Sequence, residues 1–87
     1  MYMKAIITLI GLKNAEPEMV NTLHNFVNHF ARVYGLNVLE SWSAWGKNNI
    51  AFYNVLVDGW KLHYLNSLLK RIGKRFKGCV GVHVRLL

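Results

Sequence analysis

An α+β sandwich built on one four-stranded sheet is the fold class that this 87-residue chain predicts, and three observations carry it. Apolar residues switch twice between short strand-like runs and a helical spacing of three and four, giving the order β-α-β-β-α-β. Glycine and asparagine join the two middle strand-like runs, which is a hairpin signal. The length suits a single domain over 1–87, and a hydrophobic content of 53% is ample for its core.

The first run, KAIITLIGL over residues 4–12, is short, β-branched and apolar on both faces, as a central strand is. Met19, Leu23, Phe26, Phe30 and Val33 then mark one stripe of a helix from about residue 16 to 34. Pro17 suits its first turn, Glu16 and Glu18 suit the positive end of its dipole, and Gly35 ends it. Runs 36–45 and 49–57 flank Gly46-Lys47-Asn48, and Asp58-Gly59 closes the second of them. Leu62, Leu65, Leu69, Ile72 and Phe76 restore a helical stripe, broken at Lys77-Gly78. The last run, residues 79–87, alternates, with Val80, Val82, Val84 and Leu86 on one face.

Right-handed crossovers place the first strand beside the third, with the second and fourth at the edges. The result is a ferredoxin-like βαββαβ sandwich, a four-stranded antiparallel sheet with two helices on one face and the other face bare. Strand parity assigns that bare face. It receives Ile6, Thr8 and Ile10 from the first strand and Val38, Glu40 and Trp42 from the second. The third adds Ile50, Phe52 and Asn54, and the fourth Gly81, His83 and Arg85. A face this apolar calls for a cover, and a second sheet from another subunit is the simplest one. The predicted dimer face is Ile6, Thr8, Trp42, Ile50, Phe52 and His83. A stacking platform for nucleic-acid bases is the rival use of the same surface.

Charge is distributed unevenly. Residues 1–60 balance Lys4, Lys13, Arg32 and Lys47 against Glu16, Glu18, Glu40 and Asp58. Residues 61–87 hold seven cations and no acid, which accounts for the whole net charge of +7. Lys70, Arg71, Lys74 and Arg75 fan across the side of the second helix opposite its apolar stripe, with His63, Tyr64 and Ser67 in the same arc. With Lys77 and Arg85 they form the candidate anion-binding set, a surface for DNA, RNA or another polyanion. A plain solvated helix face, with cations near the dipole's negative end, fits the same residues. On the first helix the outer positions are rich in asparagine, read either as a polar contact surface or as composition bias.

Catalytic and metal chemistry find no constellation. The four carboxylates are scattered singly, His24 and His29 do not share a helical face, and Cys79 and His83 lie about 13 Å apart along a strand. The sequence therefore implies no enzyme, no metal and no cofactor. Gly73, inside a helix, fits either close helix packing or fraying. One cysteine suits a reducing, cytoplasmic setting. The longest apolar run is too short to span a bilayer, and nothing reads as a signal peptide.

Two resemblances follow. NNIAFYNV (48–55) resembles the aromatic strand motif of RNA-recognition domains, with Phe52 alone at a stacking position. HFARVYGLNVLESWSA (29–44) resembles the helix-to-strand junction of ACT domains, and LLKRIGKRFKGCVGVHVRLL (68–87) is similar to their final helix and strand. That resemblance covers most of residues 4–86. It implies a regulatory module that pairs through sheets or helices and binds a small metabolite, commonly an amino acid, near the loop after the first strand. Here that loop is Lys13-Asn14-Ala15-Glu16-Pro17, without the family's characteristic Asp and Gly. Small transcriptional regulators include stand-alone members of this shape.

The expected function is thus a non-enzymatic regulatory or binding module that works as a homodimer through its open sheet, with a link to transcription as one form of it. The alternative is a nucleic-acid-binding protein whose second helix contacts phosphates. A viral or accessory protein that masks a nucleic-acid path is a third reading of the same basic face.

Overall fold

A computed structural model describes residues 3–12 and 17–87. Six main elements follow in the expected order: β1 (Met3–Gly11), α1 (Pro17–Tyr34), β2 (Asn37–Trp45), β3 (Ala51–Trp60), α2 (Tyr64–Phe76) and β4 (Val80–Leu86). The strands form one antiparallel sheet in the order β2-β3-β1-β4. This is the ferredoxin-like βαββαβ arrangement, with β1 and β3 central as right-handed crossovers require. Lys13, Asn14, Ala15 and Glu16, which hold the implied metabolite loop and the expected start of the first helix, lie outside the described residues.

Period-two burial explains why the sheet has two distinct faces. Ala5, Ile7 and Leu9 of β1 and Ala51, Tyr53, Val55 and Val57 of β3 are buried against the helices. From α1 they meet Leu23, Val27, Phe30 and Ala31, and from α2 Tyr64, Leu68, Ile72 and Phe76. α1 lies over β3 and β2, and α2 over β4. At one end of the core Trp60, 1% exposed, sits 6.5 Å from Phe30 and 5.8 Å from Tyr64 by ring centres. Gly35, at φ +68°, closes α1 while Leu36 N–H donates to the Ala31 carbonyl at 2.8 Å, a left-handed helix stop.

Several sequence expectations are corrected. The stripe of α2 is not Leu62-Leu65-Leu69. Leu62 lies in the turn before the helix and is 67% exposed, and Leu65 and Leu69 are exposed too. Both sets fit the helical spacing, but Trp60 at the end of β3 recruits Tyr64 into the core, which rotates the buried arc by one residue. Tyr64 is therefore core, not part of the basic outer arc. Val33 of α1 is exposed, its inward place taken by Val27 and Ala31.

β3 runs on through Asp58-Gly59 to Trp60 instead of ending there, because Met3 pairs with Trp60 across a register shift in which β3 carries the extra residue. A similar irregularity between Val38 and Glu40 sets Val38 opposite the inward Val57, so Val38 leaves the outer face. Gly73 faces open space: a Cβ there would meet nothing within 4 Å, so close helix packing is not its role.

Candidate functional site

The open face of the sheet resolves into three rows of residues aligned across the strands. Glu40, Leu56, Ile6 and Arg85 form the first, in the order β2, β3, β1, β4. Trp42, Asn54, Thr8 and His83 form the second, and Ala44, Phe52, Ile10 and Gly81 the third. Among these, Leu56, Ile6, Asn54, Thr8, Phe52 and Ile10 on the two central strands are all partly exposed, because the helices lie on the other side. Trp42, on an edge strand, is 42% exposed.

Local chemistry positions several of these side chains. Thr8 Oγ1 donates to Asn54 Oδ1 at 2.7 Å, tying the two central strands together at the middle of the face. Phe52 lies over Gly46: a Cβ on that glycine would stand 2.8 Å from Phe52 Cε2. A shallow depression at the centre is lined by Ile6, Thr8, Trp42, Asn54, His83 and Arg85. Of the predicted dimer face, Ile6, Thr8, Trp42, Phe52 and His83 therefore share one surface. Ile50 stands just outside β3, in the hairpin connection, where its carbonyl accepts the Gly46 N–H at 2.8 Å.

The second candidate surface is a groove between the helices. Tyr34, Ser67, Lys70, Arg71 and Lys74 line one stretch of it. Antiparallel packing of the helices brings the last residue of α1 beside the first half of α2, and the Arg71 guanidinium carbon stands 5.4 Å from the Tyr34 ring centre. Hydrogen bonding from Ser67, then from Arg71, together with the Arg71 charge, lowers the Tyr34 phenol pKa below its usual value. A second stretch is lined by Thr22, Asn25, Phe26, His29 and Arg75, next to the edge-to-face contact of Phe26 and Phe76 at 5.4 Å.

Of the predicted anion-binding set, Lys70, Arg71, Lys74 and Arg75 thus border the interhelical groove. Lys77 is the left-handed C-cap of α2, at φ 50°, beyond the groove. Arg85 is on the far side of the sheet, in the open face, and does not join them. Sequence reasoning missed Tyr34 as a groove residue; its signal was its place at the end of the first helix, opposite the start of the second. It also missed Leu56, which lies outward in β3 directly beside Glu40.

Among the described residues, no group of three or more His, Cys, Asp or Glu is arranged to hold a metal ion. No described helix is long and apolar enough to cross a membrane. His24, the most connected histidine on α1, serves structure: Asn28 Nδ2 donates to its Nε2 at 2.9 Å, and its Nδ1 lies 2.7 Å from the hydroxyl of buried Tyr53.

No protein-family model matches the chain, and no curated protein matches it in sequence. In three dimensions it is similar to an ACT domain protein from Streptococcus pneumoniae, with a TM-score of 0.63 and 17% sequence identity over 97% of this chain and 89% of that one. Element order, strand order and this superposition together establish that the chain has an ACT-like ferredoxin fold.

Proposed function

We propose that this chain is a small, non-enzymatic regulatory or binding module that self-associates as a homodimer through its open sheet face. One observation carries the proposal: Ile6, Ile10, Trp42, Phe52 and Leu56 share a surface that neither helix covers. An apolar face of this kind on a small domain favours burial against a partner. Charge favours the same arrangement. The cations of α2 lie behind the opposite face, so two sheets can meet while their basic helices stay separated by more than the Debye length of about 8 Å. The similarity to an ACT domain protein supports a regulatory role, and the single Cys79 supports a cytoplasmic setting. Sedimentation equilibrium tests the proposal: a dimer is expected, and a strict monomer at high concentration overturns it.

A second reading rests on the groove. Lys70, Arg71 and Lys74 converge beside Tyr34 and Ser67, a cluster of donors that suits a phosphate-bearing polymer and a transcription-linked role. If Lys70, Arg71, Lys74 and Arg75 each neutralise one phosphate, log affinity for duplex DNA falls against log salt with a slope of about −3.6. Absence of any shift with DNA or RNA at low salt removes this reading.

A further inference from the structure

The three rows of the open face carry a directional pattern that chooses one way for two copies to meet. The first row has an acid at the β2 edge, Glu40, and a cation at the β4 edge, Arg85, with Leu56 and Ile6 between them. Three strand spacings, about 14 Å, separate their Cα atoms across the sheet. Face-to-face stacking of two identical sheets can use a twofold axis perpendicular to the strands or one parallel to them.

A perpendicular axis places each strand over its own copy and inverts the rows. Glu40 then faces Ala44 of the partner subunit and Arg85 faces Gly81 of the partner subunit, so neither meets an opposite charge. A parallel axis through the sheet centre places β2 over β4 and β3 over β1, and keeps each row on itself. Glu40 then faces Arg85 of the partner subunit at both edges. Phe52 meets Ile10 of the partner subunit, and Leu56 meets Ile6 of the partner subunit. The centre is complementary as well. Thr8 donates its hydroxyl proton to Asn54 Oδ1, which leaves the Asn54 Nδ2 hydrogens as donors and the Thr8 oxygen lone pairs as acceptors. The parallel axis sets each of these against the other.

We infer that two copies of this chain stack sheet to sheet about a twofold axis parallel to the strands, with Glu40 of each protomer paired to Arg85 of the partner subunit. This deepens the homodimer reading and rests on it. The sheet separation of about 10 Å in such sandwiches is within the combined reach of a glutamate and an arginine side chain. The rival mode, in which the exposed edge of β2 pairs with a second β2, uses no contact of Arg85.

Charge reversal tests the arrangement through sedimentation equilibrium of Glu40→Arg, Arg85→Glu, their equimolar mixture and the double variant. Each single reversal sets like charges together at both edges, so each is expected to weaken its own dimer at least tenfold. The equimolar mixture again opposes unlike charges at both edges and is expected to form a heterodimer of wild-type affinity, although both proteins remain net basic. The double variant is expected to dimerise as the wild type does, and it keeps the test valid should a single variant fold poorly. Wild-type dimerisation with no loss in Arg85→Glu overturns the inferred axis while leaving self-association standing. A wild-type protein that is monomeric throughout overturns the homodimer reading itself and this inference with it.

Discussion

The guanidinium carbon of Arg71 lies 5.4 Å from the centre of the Tyr34 ring, joining the end of one helix to the middle of the other at the mouth of the basic groove. Because Ser67 and Arg71 hold the phenol below its usual pKa, Tyr34 should ionise before an ordinary tyrosine in an ultraviolet pH titration. Arg71→Ala should return it towards the ordinary value. A group with a depressed folded pKa adds stability above its unfolded pKa and loses it as pH falls through the folded one. The stability difference between wild type and Arg71→Ala that comes from this ionisation should therefore emerge only in the alkaline range. An unchanged Tyr34 titration in Arg71→Ala would contradict the assignment.

His24 and Tyr53 form a structural pair. The Tyr53 ring is buried on the helix side of β3, and His24 Nδ1 meets its hydroxyl at 2.7 Å. A double-mutant cycle of His24→Ala and Tyr53→Phe, read by urea denaturation, should show a coupling of about 1 kcal/mol. Additive losses would mean that the bond contributes nothing to stability.

Neighbouring leucines on α2 should behave oppositely. Leu68 is fully buried, and Leu68→Ala should cost about 2–5 kcal/mol through lost burial and a cavity. Leu69 is 48% exposed, and Leu69→Ala should stay within about 0.5 kcal/mol of wild type. The reverse order would restore the stripe that spacing alone suggests.

Two glycines differ in sign. At Gly73 a methyl group meets open space inside a helix, so Gly73→Ala should stabilise by about 1 kcal/mol. At Gly59, φ is +93° and the Asp58 side chain accepts its N–H at 2.9 Å, so Gly59→Ala should destabilise by about 1–2 kcal/mol. Thermal unfolding of the two variants should move in opposite directions.

Much of the fold was legible because strands and helices announce themselves locally. The alternation in Ala5-Ile6-Ile7-Thr8-Leu9 and in Ala51-Phe52-Tyr53-Asn54-Val55 sorted inward from outward residues correctly. The hairpin at Gly46-Lys47-Asn48 and the stop at Gly35 were equally local. The helix faces were less legible. Leu62, Leu65 and Leu69 satisfy the helical period as well as Tyr64 and Leu68 do, and periodicity cannot rank two overlapping stripes.

Residue order and hydrophobic period, then, determined the element sequence, the central strands and the existence of an uncovered apolar face. Tertiary structure alone decided which helical stripe was buried, through the packing of Trp60 on Tyr64. It alone brought Arg71 to Tyr34, because two helices far apart in sequence run antiparallel over one sheet. It also put Val38 on the helix side and Glu40 in line with Arg85. Those alignments depend on the registers of three strand pairs and a bulge in β2, and register is a property of paired strands rather than of any single segment.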